Sequence, residues 1–208
     1  MSEIFEGFEC GKNIELGEKI PANIPRIITD FNCHCHYNLH GSIFWKPESR
    51  DENQLFNTEL YLQSNPQFPI NLSEQPFLQV EKGKNILISN IITGYQKAQK
   101  GFIPPFKQMQ SAFDRDCIEA DNLYIIGYSF GDEHINMSIK TALKYNFNVK
   151  IYIIDPSYNE RDGKNGYELL KQKFIYFAPD EQVRIVRKLF FLKAIGQFNL
   201  TVEKLNEL

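Results

Sequence analysis

The stretch Asn122–Asn136 reads Asn-Leu-Tyr-Ile-Ile-Gly-Tyr-Ser-Phe-Gly-Asp-Glu-His-Ile-Asn, and it decides the fold that we expect. Its apolar run from Leu123 to Ile126 is rich in β-branched and aromatic residues, which predicts a buried strand ending at Gly127. From Asp132 onward the period becomes helical, with apolar residues on one face at Ile135, Ile139, Ala142 and Leu143. The stretch therefore predicts a strand, a tight turn and a helix.

A turn of this kind presents backbone N–H groups and the positive end of a helix dipole, and Ser129 is expected at its tip. The next strand is predicted over Val149–Ile154 and ends in Asp155-Pro156. In nucleotide-binding folds an acidic residue about 20 positions after the phosphate turn meets a ribose hydroxyl. Here Asp155 follows Gly127 by 28 positions, so Gly127, Ser129 and Asp155 are candidate nucleotide contacts.

Length and charge limit the classes of protein to consider. The chain has 208 residues with 42% hydrophobic content, enough for one globular domain with a substantial core. Lys and Arg number 23 against 26 Asp and Glu, and no dense basic run occurs, so we expect no nucleic-acid partner. No apolar run approaches the roughly 18 residues of a membrane span. We therefore expect a cytoplasmic protein without a membrane segment.

Four potential metal ligands stand together in Cys33-His34-Cys35-His36. In a strand, Cys33 and Cys35 face one side and the two histidines face the other, so at most two ligands converge. The sequence contains no second pair of ligands at zinc-site spacing downstream. We expect reduced thiols in an ordinary strand and no metal site.

We expect an α/β fold with a mainly parallel, Rossmann-like sheet flanked by helices. Residues 1–30 are predicted as an irregular arm, 31–178 as the α/β domain with an insertion over 46–85, and 179–208 as a C-terminal helical region. Within the domain, a strand is predicted over Ile86–Ile92 and a helix over Phe106–Ala120.

The central turn also spells Gly127-Tyr-Ser129-Phe-Gly131, the nucleophile-elbow pattern of α/β-hydrolases. Those enzymes place the catalytic histidine after the acid in the chain, whereas the last histidine here is His134, which precedes Asp155. A serine hydrolase is therefore a less favoured interpretation.

Three motifs in order resemble the second half of a sirtuin-like domain. They are His40-Gly41 within Leu-His-Gly-Ser-Ile, then Ile-Ile-Gly-Tyr-Ser-Phe-Gly-Asp around Ser129, and then Ile-Ile-Asp-Pro ending at Pro156. The resemblance implies His40 as catalytic base, Gly127 and Ser129 as contacts to the dinucleotide NAD, and Asp155 as a contact to the adenosine ribose. It covers roughly Leu39 to Pro156.

The chain departs from protein-deacylating sirtuins, which carry a four-cysteine zinc module between the first two motifs. No cysteine occurs here between Cys35 and Cys117, so deacylation is the weaker expectation. Sirtuin-like domains without that module resemble enzymes that hydrolyse NAD, often in bacterial anti-phage defence. The family's opening phosphate loop is not found before His40, which leads us to expect a truncated or split domain lacking its N-terminal part.

Two functions from different classes remain open. The first is an NAD-binding, nicotinamide-releasing protein that takes NAD or ADP-ribose and whose missing half comes from a partner chain. The second is a catalytically silent interaction module or remnant, in which an exposed sheet edge mediates assembly, including assembly of a homo-oligomer.

Overall fold

A computed structural model describes residues 4–9, 14–49, 58–66, 77–81, 84–87, 89–92, 101–154 and 183–186. The described residues form a mixed α/β structure with small parallel and antiparallel sheets. The chain divides into two compact units, Met1–Phe113 and Asp114–Leu208. Among the described residues, no helix is long and apolar enough to cross a membrane.

The N-terminal unit contains seven strands among its described residues, and a short helix lies between the second and the third. The elements are β1 (Ile4–Phe5), β2 (Ile20–Pro21), α1 (Ile24–Thr29), β3 (His34–Cys35), β4 (Trp45–Ser49), β5 (Thr58–Leu62), β6 (Phe77–Glu81) and β7 (Lys84–Leu87). Strands β1 and β3 pair in parallel, β2, β5 and β4 form an antiparallel sheet in that order, and β6 pairs antiparallel with β7.

The core of this unit is aromatic at its centre. Trp45 is 1% exposed, and the centroid of its ring lies 5.4 Å from the ring centroids of both Phe8 and Phe106. Tilted aromatic pairs at this distance add about 0.5–1.5 kcal/mol beyond the burial of their area. Ile27 from α1 and Leu60 from β5 are also buried in this cluster. The cluster therefore joins residues from widely separated parts of the sequence.

Helix α2 (Phe106–Glu119) begins in the N-terminal unit and ends in the C-terminal one. Its first part contributes Phe106, Met109 and Ala112 to the aromatic core. At its other end, the Asn146 side-chain amide donates hydrogen bonds of 2.9 Å to the carbonyl oxygens of Ile118 and Ala120. These bonds satisfy carbonyl groups that the end of a helix leaves without partners inside the helix.

The C-terminal unit is a parallel β-sheet with a helix packed against it. Strands β8 (Asn122–Ile126), β9 (Lys150–Ile154) and β10 (Val183–Val186) are parallel, with β9 in the middle. Helix α3 (Glu133–Tyr145) connects β8 to β9 and packs its apolar face on the sheet. That core contains Ile125, Phe130, Ile139, Leu143, Val149, Ile151 and Ile153.

The structure confirms the central prediction of a strand, a turn and a helix, and it confirms that the strands before Gly127 and Asp155 are neighbours. The predicted helix over Phe106–Ala120 is also present as α2. These elements were predictable because their apolar residues follow a clear strand or helix pattern.

Other predictions differ from the structure. Residues 1–30, expected as an irregular arm, contain β1, β2 and α1 and bury Phe5 and Phe8, whose spacing has no regular period. Within the 46–85 stretch, expected as a polar insertion, strand β5 buries Thr58 and Leu60. The sheets of the N-terminal unit are largely antiparallel, whereas we expected mainly parallel pairing.

Three further expectations concern single segments. The helical region predicted over 179–208 is wrong at Val183–Val186. These residues form a strand, which their β-branched side chains favour. The strand expected for Cys33–His36 is limited to His34–Cys35. The end of the predicted α/β domain, residues 155–178, lies outside the described residues.

Candidate functional site

The turn after β8 has the backbone geometry of a sharp reversal. Gly127 has φ +61°, in the left-handed region that glycine adopts without the steric cost of a Cβ. Phe130 has φ 58° although it is not glycine, and its side chain is only 3% exposed. A left-handed bulky residue is strained, and the burial of its ring in the core of the C-terminal unit holds it in place. The turn is therefore anchored by Phe130 and leaves Gly127 and Ser129 exposed.

A network of polar side chains fixes the same turn from inside. The Tyr128 hydroxyl donates to the Asp132 carbonyl oxygen at 2.9 Å and accepts from the Asp132 N–H at 3.2 Å. The same hydroxyl lies 3.1 Å from Asn136 Oδ1, while Asn136 Nδ2 donates to the Phe130 carbonyl at 2.9 Å. Burial raises the pKa of Tyr128, so its hydroxyl keeps the proton needed to donate. These hydrogen bonds tie the turn to the first part of α3.

The N-terminus of α3 already carries negative charge. Asp132 is the N-cap residue, and its Oδ1 accepts a hydrogen bond from the His134 N–H at 3.0 Å. Glu133 adds a second, exposed carboxylate in the first turn. Carboxylates at this position compensate the positive end of the helix dipole, so they weaken its attraction for a phosphate. The turn is therefore better suited to hydrogen bonds from Ser129 and the backbone than to charge attraction.

The register of the sheet places the end of β9 beside this turn. Residues of β8 and β9 pair one to one in parallel, and the last pair is Ile126 with Ile154. The carboxyl ends of parallel strands are where α/β sheets bind ligands. Asp155 directly follows Ile154 in the sequence but lies outside the described residues.

His40 lies in the other unit, in a turn over residues 38–41, and is exposed. The Gly41 N–H donates to the Asn38 carbonyl at 2.8 Å, and the His40 carbonyl accepts from the Ile92 N–H at 2.8 Å. Gly41 has φ +89°, and a Cβ built on it would overlap the carbonyl oxygen of Asn90. The backbone of His40 is therefore fixed while its side chain faces solvent, which differs from a buried strand histidine.

The structure thus joins two of the four predicted site residues, Gly127 and Ser129, in one turn. His40 belongs to the N-terminal unit and these two to the C-terminal unit. Sequence reasoning missed Tyr128 and Asn136, which hold the turn. The signal available was Asn136 itself, a polar residue inside the helical segment, which the structure leaves only 7% exposed.

The backbone of the turn at Ser129 differs from that of a nucleophile elbow. In that motif the serine occupies the strained position at the top of the turn. Here the left-handed residues are Gly127 and Phe130, two positions before and one position after Ser129. Ser129 itself therefore lacks the strained backbone conformation that a hydrolase gives to its nucleophile.

The Cys33–His36 segment brings two thiols together. The Sγ atoms of Cys33 and Cys35 are 3.0 Å apart, and His36 Nδ1 lies 3.0 Å from Glu6 Oε1. Within the described ranges, no group of three or more His, Cys, Asp or Glu side chains could hold a metal ion.

Comparison of the sequence with protein-family models found no matching family. The same holds for curated proteins, none of which matches this chain. The functional conclusion therefore depends on the geometry of the turn and on the chemistry of the residues around it.

Proposed function

We propose that this chain binds NAD through a Rossmann-like half-site at the carboxyl edge of β8 and β9 and hydrolyses it to nicotinamide and ADP-ribose. The observation that carries the proposal is the parallel β8–α3–β9 unit, whose rigid turn exposes Gly127 and Ser129 at that edge. The similarity of the three motifs to sirtuin-like domains supports the choice of NAD over other nucleotides.

In this proposal the residues have separate tasks. The backbone of Gly127 and the hydroxyl of Ser129 contact the dinucleotide, and the Asp155 carboxylate accepts hydrogen bonds from the adenosine ribose. His40 acts as a general base that takes a proton from a ribose hydroxyl or from the attacking water, as the N-glycosidic bond to nicotinamide breaks. Water supplies the new oxygen on ADP-ribose, and nicotinamide leaves with the bonding electrons.

The remaining phosphate contacts come from a second chain that supplies the missing half. Asp132 and Glu133 give the α3 N-terminus negative charge, so this turn alone offers little attraction for a diphosphate. A partner that carries a glycine-rich phosphate loop removes this limitation. The setting that we propose for such a split enzyme is depletion of NAD in a phage-infected bacterial cell.

Binding is tested by calorimetric titration of the full chain with NAD and with ADP-ribose. We expect a Kd below about 1 mM, and a Ser129→Ala variant should bind about 3- to 10-fold more weakly, as expected for one lost hydrogen bond. Ser111 is the matched control, because it is an exposed serine on α2 whose hydroxyl donates to the Lys107 carbonyl. An equal effect of Ser111→Ala, or no binding by the wild type, would contradict the assignment of the turn.

Catalysis is tested by chromatographic detection of nicotinamide after incubation with NAD. We expect His40→Ala to lower the rate by about 10²- to 10⁴-fold, the contribution of a general base, without changing the affinity for ADP-ribose. His34→Ala is the control, since His34 is an exposed histidine of the same unit. Nicotinamide release that His40→Ala leaves unchanged would remove His40 from the mechanism.

A second candidate, an interaction module, is favoured by the edge of the C-terminal sheet. In the described sheet, β8 has a neighbour on one side only, and its Tyr124 is 38% exposed. An exposed strand edge pairs readily with another chain. If this is the function, Tyr124→Lys should reduce self-association measured by light scattering, and neither NAD nor ADP-ribose should bind.

A further inference from the structure

The two thiols of the Cys-His-Cys segment lie close together. The chain bends at Asn32 and Cys33 just before β3, and the Cys33 and Cys35 Sγ atoms are 3.0 Å apart. The sequence alone places these two side chains only on the same side of a strand.

This distance distinguishes between two kinds of dithiol site. Tetrahedral zinc with Zn–S bonds of about 2.3 Å requires its two sulfur atoms to lie about 3.8 Å apart, and it requires further ligands. A disulfide requires a separation of about 2.05 Å. The observed Sγ–Sγ distance of 3.0 Å is shorter than the zinc value and about 1 Å longer than a disulfide bond. In the described part of the chain, no third ligand completes a metal group.

We propose that Cys33 and Cys35 are a redox-active pair that forms a reversible intramolecular disulfide by exchange with small-molecule disulfides. Both residues are half-buried and pack at the edge of the aromatic core, so each retains access to a small reagent. The proposal is independent of the NAD site.

The exchange proceeds in two steps. The thiolate of one cysteine of the pair attacks one sulfur of the small disulfide, which forms a mixed disulfide and releases one small thiol after protonation. The other cysteine then loses its proton, and its sulfur attacks the sulfur of the first, which closes the protein disulfide and expels the second small thiol. The protein loses two electrons and two protons, and the small disulfide gains them.

The surroundings of the thiols favour the protonated form of Cys33. Burial, and next the hydrogen bond with Cys35, raise the pKa of Cys33 to about 12. Because only the thiolate is nucleophilic, the exchange should be faster at higher pH. Either cysteine can resolve the mixed disulfide, because the two sulfur atoms are 3.0 Å apart.

Closure of the disulfide fixes the bend before β3. Strand β3 pairs with β1 through the register of Cys35 with Phe5, and the His36 N–H donates to the Phe5 carbonyl at 2.9 Å. The oxidised bond links Cys33, at the bend, to Cys35, which is paired with Phe5. Oxidation is therefore expected to leave the fold of the N-terminal unit intact.

The test is incubation of the folded full chain with oxidised glutathione, followed by alkylation of remaining thiols and mass spectrometry. Cleavage with trypsin leaves both cysteines on one peptide, residues 27–50, because the bond between Lys46 and Pro47 resists the enzyme. We expect this peptide to be lighter by two hydrogens and to regain both alkylation sites after reduction. If both thiols stay alkylatable, or form only bonds between chains, the proposal is wrong.

Single variants test the mixed-disulfide intermediate. Cys33→Ser and Cys35→Ser should each accumulate the mixed disulfide with glutathione on the remaining cysteine of the pair, since no resolving thiol remains. Cys117→Ser is the control, since Cys117 is 3% exposed and should leave the reaction of the pair unchanged. Absence of the mixed disulfide from both of the first two variants would contradict the two-step exchange.

Discussion

At the scale of single residues, two glycines with the same backbone conformation have different surroundings. Gly41 has φ +89° and Gly17 has φ +88°, so any other residue at either position is strained. A Cβ at Gly41 would overlap the Asn90 carbonyl oxygen and lie 3.0 Å from the Phe106 ring, whereas a Cβ at Gly17 would have no neighbour within 4 Å. Substitutions at Gly17 therefore measure the strain of a positive φ alone, whereas substitutions at Gly41 add the clash of the new side chain with its neighbours.

We predict that Gly41→Ala lowers the free energy of unfolding by about 3 kcal/mol or more, and Gly17→Ala by about 1 kcal/mol. The first substitution must displace the Asn90 backbone in addition to the conformational strain that both share. Urea denaturation followed by tryptophan fluorescence measures both values. Equal decreases in the free energy of unfolding would mean that the backbone around Asn90 shifts to accommodate a side chain at residue 41 without a further cost.

The single residues of the site were only partly predictable. Ser129 and Gly127 stand out because they follow an apolar strand, and their exposure agrees with the predicted turn. The strain at Phe130 and the hydroxyl network of Tyr128 could not be read from the sequence. Both depend on which atoms the turn brings within about 3 Å, and that distance follows from packing in the C-terminal core.

At the scale of elements, the charge at the start of α3 affects the proposed ligand. Asp132 caps the helix with its carboxylate, and asparagine caps a helix equally well without the charge. We predict that Asp132→Asn binds NAD about 2- to 5-fold more tightly, since removal of one charge near a helix terminus changes the energy by about 0.3–1 kcal/mol.

The measurement is calorimetric titration at low and at high salt. The gain should shrink at high salt, because salt screens the repulsion between the carboxylate and the diphosphate. Glu59→Gln is the matched control, since Glu59 is an exposed carboxylate of the other unit. Tighter binding by both variants would indicate an effect of net charge instead of a local one.

Elements with a regular period were predicted and the others were not. β8, α2, α3 and β9 follow clear apolar patterns, and each is present near its expected bounds. β10 has valines three apart, a spacing that fits a helix as well as a strand, and its β-branched residues form a strand beside β9. β1 and β2 have two residues each, too short for any period to show.

At the scale of the whole molecule, the chain consists of two compact units with separate cores. The sequence contains a single tryptophan, Trp45, and it is buried in the N-terminal core. Its fluorescence therefore reports the unfolding of the N-terminal core, while circular dichroism also records α3.

We predict that Met109→Ala lowers the stability seen by Trp45 fluorescence by about 2–5 kcal/mol, as expected for a fully buried side chain. Leu143→Ala, a similar truncation in the other core, should change the fluorescence midpoint by an amount equivalent to less than about 0.5 kcal/mol. In the Leu143→Ala variant, the helical signal in circular dichroism should nevertheless be lost at a lower urea concentration than in the wild type. Equal shifts of the fluorescence midpoint would show that both units unfold in one cooperative transition.

The contact between Gly41 and Asn90 also limits how this chain can change during evolution or in design. The Asn90 backbone occupies the space where residue 41 would otherwise carry a side chain. Grafting residues 38–41 onto another scaffold would not reproduce the turn that carries His40 unless residues 90–92 were transferred with it. Substitutions at these two distant stretches should therefore be accepted in compensating pairs, and Gly41 should be exchanged only in proteins whose second stretch has moved away.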